Sequence, residues 1–288
     1  MGQRMVIRSR GYRTDLMFAR FDGEVSFHTD YVAARTATNP GFWWGNFILF
    51  HQAPREGDVD AWEQIFIKEV GWLPGIRHRN FAWDDIEGAK GESGAFIERG
   101  YKLSESVFLQ ATSVSRAPRS NDDVVVRPLS GDDEWHAALA NQHAALSEER
   151  DTPSFREFQT AQMRRYRAME MAGLGRWFGA FLRNQLVADM GLFVEDNVGR
   201  CQSVATAPAY RRRGVCAAMV NEVCSFGFRC MDARQIIMMT AVDSAAARIY
   251  RAVGFRDSER VASLSISFAR DRLPSTREVR PNQSKDID

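Results

Sequence analysis

The sequence lacks the cysteine and histidine patterns of metal-binding and disulfide-rich proteins. It has four cysteines and five histidines in 288 residues, no CxxC spacing, and no histidines clustered near a cysteine. These absences argue against a zinc site and a disulfide framework, and we expect no metal. The four cysteines are expected to be buried thiols: Cys201, Cys216, Cys224 and Cys230.

The sequence also lacks long apolar runs and a strong net charge. Thirty-eight basic and thirty-seven acidic residues leave a net charge of +1, which argues against steering onto nucleic acid or an acidic membrane. The N-terminal stretch has no apolar signal-peptide core, and Val6 stands where a myristoylation signal has Ser or Thr. We expect a cytoplasmic protein without nucleic-acid or membrane partners, and no pattern indicates its oligomeric state.

A polar segment divides the chain. Residues 111 to 123 carry Ser, Pro, Arg and Asp between two strand-like runs, which is typical of a domain boundary. We predict one domain over residues 1 to 115, a second over 122 to 270, and a flexible polar tail over 271 to 288.

The second half has the clearer secondary-structure pattern. Apolar and polar spacing, with tight turns between residues 182 and 200, predicts the order β α α β β β α β α β. Val215, Met219 and Val223 recur at helical spacing, and Gly254 is placed to end the following helix. The last alternating run, from residue 261 to 268, is expected to close the sheet.

Three arginines stand directly before a glycine and a helix. The unpaired N–H groups of a first helical turn attract an anion, and a glycine allows close backbone approach. The segment from Arg211 to Ala217 therefore predicts a site for a diphosphate. An ordinary solvated arginine cluster is the alternative for these residues taken alone.

Arg211 to Cys216 resembles motif A of the GNAT superfamily of acyl-CoA-dependent N-acetyltransferases, Q/R-x-x-G-x-G/A, with Cys216 at the last position. Val204 to Pro208 resembles the family's V-x-V-x-P strand end. Residues 243 to 255 resemble its N-x-x-A-x-x-x-Y-x-x-x-G-F, with Asp243 in place of Asn.

The resemblance implies acetyl-CoA as co-substrate and no metal. It implies that strand residues pair with the pantetheine arm, that the arginine loop holds the pyrophosphate, and that a backbone N–H near Ala205 faces the oxyanion. It also implies that Tyr250 protonates the leaving thiolate. The cofactor-binding residues that follow are Val204, Ala205, Thr206, Arg211, Arg212, Arg213, Gly214, Val215, Cys216, Ala217 and Asp243.

Asp189 is the candidate general base. Pairing the strands about the turn near Asn197 sets Asp189 opposite Ala205, close to the expected reaction centre. Burial within an apolar strand would raise its pKa into a useful range. The alternative is that Asp189 faces solvent or bonds to a neighbour; His143 is a second candidate.

The first half repeats the second at an offset of 154 positions. Gly100-Tyr101 falls on Gly254-Phe255 and Ala53-Pro54 falls on Ala207-Pro208, which indicates an internal repeat. We therefore predict that the protein consists of two tandem GNAT-like lobes. The predicted fold class is α/β with mixed sheets, and each lobe has a mostly antiparallel central sheet flanked by helices.

The first lobe has lost the donor chemistry. At the same offset Gly57, Asp58, Val59 and Asp60 face the residues from Arg211 to Gly214, and Phe96 faces Tyr250. Carboxylates repel a diphosphate and Phe has no proton to give. We expect this lobe to support the fold and to wall the acceptor site.

Three functions remain open. The first is transfer of an acyl group to a primary amine of a small molecule or peptide by direct attack in a ternary complex. The others are a non-catalytic acyl-CoA-binding regulator and a related transferase with a different donor. An acidic loop, Glu148, Glu149 and Asp151, suggests a cationic acceptor.

Overall fold

The computed structural model describes residues 4–148 and 151–268, so the predicted tail lies outside the described residues. One eleven-stranded sheet runs through the whole molecule. Its strands are β1 Glu24–Phe27, β2 Tyr31–Arg35, β3 Phe47–Phe50, β4 His78–Trp83, β5 Lys102–Ala111, β6 Val125–Pro128, β7 Gly175–Leu182, β8 Gln185–Glu195, β9 Val198–Thr206, β10 Gln235–Ala241 and β11 Arg256–Ser267. The helices are α1 Arg10–Asp22, α2 Asp58–Phe66, α3 Gly94–Glu98, α4 Gly131–Ala144, α5 Pro153–Met171, α6 Val215–Cys230 and α7 Ala245–Val253.

The element order predicted for the second half is confirmed, from β6 to β11. The helix predicted from Val215, Met219 and Val223 is α6, and all three side chains are buried. Gly254 ends α7 in the left-handed conformation, with φ of 115°. Asp196 and Asn197 both have positive φ and form the tight turn between β8 and β9.

The two lobes exchange their last strands at the centre of the sheet. The strand order is β1-β2-β3-β4-β11-β5-β10-β9-β8-β7-β6. Strand β11 of the second lobe lies between β4 and β5 of the first, and β5 lies between β11 and β10. The last strand of the chain, which the sequence predicts to close the sheet, is a central strand with a partner on each side.

Each lobe's core depends on the exchanged strand. Val107 and Leu109 of β5 are fully buried in the cluster that α6 covers, within the second lobe. Ala262 and Leu264 of β11 are buried among the first lobe's aromatic side chains. The predicted fold class, two tandem lobes with mostly antiparallel sheets, is confirmed, and the two sheets are joined into one.

Helix α1 was not predicted, and long-range contacts explain why. Ser9 is its N-cap and accepts from the backbone N–H of Tyr12. The carboxylates of Asp84 and Glu259 accept from backbone N–H groups at its start, which satisfies groups that a helix leaves unpaired. These two carboxylates lie 75 and 249 positions away in the sequence, so local spacing does not reveal their part in starting the helix.

We expect that neither half folds alone. The segment 122–268, expressed without β5, would lose the burial of Val107, Phe108 and Leu109, which are 0% exposed. At about 1.5–3 kcal/mol for each side chain, this loss is comparable with the whole stability of a domain. Circular dichroism of the isolated segment should show no cooperative melting.

Mixing the isolated halves should restore the transition, because β5 can then pair with β10 and β11 in trans. If the isolated second half unfolded cooperatively at the melting temperature of the full chain, the strand exchange would not be required for folding.

Candidate functional site

The first cavity opens where two parallel strands part. β9 pairs with β10 only over Val198, Gly199 and Arg200, and a bulge at Ser203, with φ of 50°, turns the rest of β9. The backbone of β9 beyond Arg200 therefore has no strand partner on the β10 side. Val204, Ala205 and Thr206 line a cavity of about 890 Å³ there.

The start of α6 forms the floor of this cavity. Gly214 caps the helix with φ of 75°, and Val215, Cys216 and Ala217 also line the cavity. Their N–H groups belong to the first helical turn, which has no acceptors within its own helix. The segment before β6 supports this turn: the Asn121 side chain donates to the carbonyl oxygen of Arg213 at 2.9 Å.

The three arginines have different environments. The guanidinium of Arg211 donates to the carbonyl oxygens of Thr206 and Ala145, at 3.2 and 2.8 Å. That of Arg213 lies 5.4 Å from the ring centre of Tyr210, and Arg213 does not line the cavity. Arg212 does line it and is exposed, with φ of 62°. Arg212 thus has its charge available for a ligand.

Two more arginines, which no local sequence pattern marks, also line the cavity. Arg119 comes from the segment between the lobes, and Arg248 comes from α7. The segment predicted as a linker is thus also a wall of the site, through Ala117, Pro118 and Arg119. Tertiary packing brings these groups together, so spacing in the sequence does not reveal them.

Tyr250 lies on α7, behind the cavity wall formed by Arg248, Ile249 and Ala252. It is 5% exposed, and burial, with the neighbouring thiol of Cys216 as a smaller contribution, holds its pKa well above the usual value. The phenol therefore stays protonated across the working pH range.

Asp243 also lies outside the cavity lining. It occupies a left-handed turn before α7, with φ of 61°, and its carbonyl oxygen accepts from Arg248 at 3.2 Å. The N-cap of α7 is the next residue, Ser244, whose hydroxyl accepts from the N–H of Ala247.

The thiols only partly match the expectation. Cys201 and Cys224 are buried, with sulfur atoms 4.0 Å apart. Cys216 is half-buried at the cavity wall, and burial raises the pKa of its thiol to about 12. Cys230 is exposed at the last position of α6, so the expectation of a buried thiol is wrong there.

Asp189 is opposite Ala205, as predicted from the hairpin register. The carboxylate is 0% exposed and accepts from the side-chain amides of Asn141 and Gln142 at 2.9–3.0 Å and from the indole N–H of Trp177 at 3.4 Å. Burial raises its pKa to about 7, while these uncharged donors lower it. Asp189 lines neither the first cavity nor the second one described below. Residues of β9 line both cavities and Gln142 lines the second, so these groups separate the carboxylate from the cavities.

A second cavity of about 340 Å³ lies on the other side of the β9 segment. Val204, Ala205 and Ala145 line both cavities. Its other walls are helices α4 and α5 and the segment between β2 and β3 of the first lobe. The remaining lining residues are Phe42, Trp44, Gln142, Leu146, Phe155, Phe158, Gln159, Gln162, Met163, Tyr166, Gln202 and Ser203.

The first lobe has a helix start like that of α6, at Gly57 before α2, but it lacks the arginine loop that precedes α6. Gly57 caps α2 with φ of 84°, as Gly214 caps α6. Matching these glycines requires three residues fewer before α2, so the ungapped alignment that set Gly57 against Arg211 does not describe the loops. Asp58 and Asp60 lie in the first turn of α2, and Phe96 is fully buried.

The other candidates lie away from the two cavities. His143 is on α4 and lines neither cavity. In the acidic loop, Asp151 forms an ion pair with Arg156, and neither Asp151 nor Glu148 lines the second cavity; Glu149 lies outside the described residues. No helix in residues 4–148 and 151–268 is long and apolar enough to cross a membrane.

Comparison with known proteins assigns this architecture. Residues 143–255 match the family model of the acetyltransferase (GNAT) family. A GCN5-related N-acetyltransferase from Kribbella flavida is similar in structure, with a TM-score of 0.62, 15% identity, and coverage of 90% of this chain and 96% of that one. A functionally unknown conserved protein from Staphylococcus epidermidis has a TM-score of 0.65 and 13% identity, over 86% of this chain and 96% of that one.

A tandem GNAT protein from the clavulanic acid biosynthesis pathway covers 93% of this chain and 90% of its own, with a TM-score of 0.51 and 11% identity. No curated protein matches the chain in sequence. The chain therefore has a tandem GNAT fold, and residues 143–255 match the acetyltransferase (GNAT) family model. The matched family is described as one of acetyltransferases.

Substitution of Gly214 should weaken coenzyme A binding. A Cβ atom there would lie 2.4 Å from the carbonyl oxygen of Arg119, so Gly214→Ala must displace the loop as well as adopt a left-handed conformation. We expect at least a tenfold rise in the dissociation constant for coenzyme A, measured by calorimetry.

Gly57→Ala is the matched control, because its φ is also positive and its Cβ would meet no atom within 4 Å. It should cost about 1–2 kcal/mol of stability for the left-handed backbone and leave coenzyme A affinity unchanged. Equal affinities in the two variants would contradict a role for the Gly214 turn in binding.

Proposed function

We propose that the protein is an acetyl-CoA-dependent N-acetyltransferase acting on a primary amine of a small molecule or peptide. The observation that carries the proposal is the shared wall of the two cavities, Val204 and Ala205. A donor in the first cavity and an acceptor in the second would meet at this strand segment. Direct transfer in a ternary complex then needs only orientation of the two reactants.

The first cavity fits a diphosphate attached to an extended arm. The N–H groups at the start of α6, the helix dipole and the side chain of Arg212 attract the diphosphate. Arg119 and Arg248 add positive charge from the opposite walls. The unpaired edge of β9 offers backbone groups to the amides of the pantetheine arm, as a neighbouring strand would.

The reaction forms a C–N bond and breaks the C–S bond of the thioester. The amine must lose a proton, and the leaving thiolate must gain one. A backbone N–H near Ala205 would stabilise the negative charge that develops on the carbonyl oxygen. The contribution of the protein is thus placement, charge stabilisation and two proton transfers.

Tyr250 is proposed as the acid that protonates the thiolate. Burial raises the pKa of the phenol and keeps it protonated, so the phenol holds a proton for the thiolate. Its helix also lines the first cavity through neighbouring residues.

Asp189 is proposed as the group that takes up the amine proton. Because Asp189 lines neither cavity, the transfer would pass through one water between the cavity and the carboxylate. A pKa of about 7 makes the carboxylate a suitable base near neutral pH. Its ionised form also stabilises positive charge on the attacking nitrogen.

Tyr250→Phe separates catalysis from binding and tests the proposed function. We expect kcat to fall about 100-fold, a typical loss for one general acid, because the thiolate loses its proton donor. The dissociation constant of coenzyme A should not change, because Tyr250 does not line the cavity and its proton would reach the thiolate through one water. The measurement is thiol release from acetyl-CoA with a panel of primary amines.

Undiminished thiol release in this variant would exclude Tyr250 as the acid. Coenzyme A binding by the wild-type protein without thiol release for any amine would support the non-catalytic regulator instead.

Asp189→Asn should change two pH dependences. The pKa of Asp189 is about 7 in the native state, and its ordinary value is 3.8. Between about pH 4 and pH 7 the native protein therefore keeps a proton on Asp189 that the unfolded chain has released. The stability that this proton confers is present below about pH 4 and is lost by about pH 7. Up to about 4 kcal/mol of wild-type stability should disappear over this window, and the variant should lack this loss.

Asp15, whose pKa burial raises to about 6, titrates in both proteins and cancels in the comparison. In the wild-type protein kcat/KM should rise with pH to a plateau above about pH 7, because a base acts when it is ionised. A variant with the same rising limb would show that Asp189 is not the base.

A further inference from the structure

We propose that the second cavity selects an amine whose other end is aromatic or compactly apolar and carries no second charge. The first lobe provides this selection through Phe42 and Trp44. The inference rests on the proposed function for the identity of the amine as acceptor, and it assigns to the lobe without donor chemistry a role in acceptor specificity.

Five of the fifteen residues that line the second cavity are aromatic. Phe42 of the first lobe and Phe158 of α5 are stacked, with ring centroids 6.3 Å apart and planes at 23°. Phe155 meets Phe158 edge to face at 5.2 Å, and Trp44 and Tyr166 are further lining residues. Such walls favour a planar or compact apolar group, with offset or edge-to-face contacts.

The polar lining residues carry no charge. They are four glutamines, a serine and a tyrosine. Burial raises the pKa of Tyr166, so its phenol stays neutral. A diamine or polyamine would bring a second ammonium against these walls, where no lining residue is a carboxylate, and a charge that leaves water without a partner is disfavoured.

One buried acceptor in the lining has no partner. The side-chain oxygen of Gln159 makes no hydrogen bond to any described residue, whereas its amide nitrogen donates to the carbonyl oxygen of Gln142 at 3.4 Å. The side-chain amide of Gln142 in turn donates to the carbonyl oxygen of Ser203 on β9, at a distance of 2.7 Å. Two hydrogen bonds, one to the backbone of Gln142 and one from its side chain, therefore link β9 to Gln159, whose side-chain oxygen can accept an N–H.

The aromatic wall from the first lobe is held rigidly. The side chain of Asn46 is fully buried; it accepts from the N–H of Thr36 at 2.8 Å and donates to the carbonyl oxygens of Asn39 and Phe42 at 3.0 Å. The guanidinium of Arg165 lies 4.8 Å from the ring centre of Phe42 and pairs with Asp22. Phe42 is thus fixed from both lobes before any acceptor binds.

The test compares benzylamine with 4-(aminomethyl)benzylamine and spermidine. The first two differ only by the second aminomethyl group, and spermidine has charge without a ring. Thiol release with acetyl-CoA should give kcat/KM at least tenfold higher for benzylamine than for either of the others. Calorimetry on the protein saturated with coenzyme A should show the same order of affinity.

Phe42→Ala should raise the KM and the dissociation constant for benzylamine at least tenfold, with kcat for saturating amine nearly unchanged, and Phe42→Tyr should restore most of the affinity. Trp72→Ala is the control, because Trp72 is a 61% exposed aromatic residue of the same lobe and lines neither cavity. It should change neither constant.

The outcomes separate this inference from the proposed function. Turnover that is fastest with spermidine or the diamine, or a Phe42→Ala variant that behaves like the control, would overturn the inference and leave acyl transfer standing. Binding of benzylamine that depends on Phe42 without turnover of any amine would support the ligand class and overturn the proposed reaction. Neither binding nor turnover would overturn both.

Discussion

The pairing of β5 with β11 is the constraint on which the rest of the structure depends. Each strand completes the sheet of the other lobe, and the side chains of each are part of the other lobe's core. A single continuous sheet fixes the lobes relative to each other without a hinge. The segment between β2 and β3 can therefore be a permanent wall of the second lobe's cavity, and Phe42 meets Phe158 across the boundary.

The site depends on a second backbone feature, the early end of the pairing between β9 and β10. Beyond Arg200 the backbone of β9 is paired only with β8, and the bulge at Ser203 keeps the strand turned. One segment, Val204 and Ala205, then separates two cavities and lines both. The buried charge of Asp189 lies directly opposite on β8, so the polar and apolar parts of the site share one strand pair.

Local patterns predicted the parts of the fold and site that local interactions determine. The helix start at Gly214, the turn near Asn197 and the placing of Asp189 opposite Ala205 follow from short-range spacing and hairpin geometry. The strand exchange did not follow, because an alternating strand such as β11 fits an edge or the centre equally well. Arg119 and Phe42 were missed since tertiary packing alone brings them to the cavities.

The two lobes differ in chemistry at matching positions of the repeat. Both retain a left-handed glycine before the helix, but the first lobe has a shorter loop and two carboxylates, Asp58 and Asp60, where a diphosphate would need positive charge. The counterpart of Tyr250 is Phe96, which is packed among aromatic rings. Phe96 belongs to the aromatic core of the first lobe, and Trp43, next to Phe42, stacks on His78 of β4 with ring centroids 5.1 Å apart. The lobe that lacks the arginine loop thus contributes aromatic side chains, Phe42 and Trp44, to the wall of the second cavity.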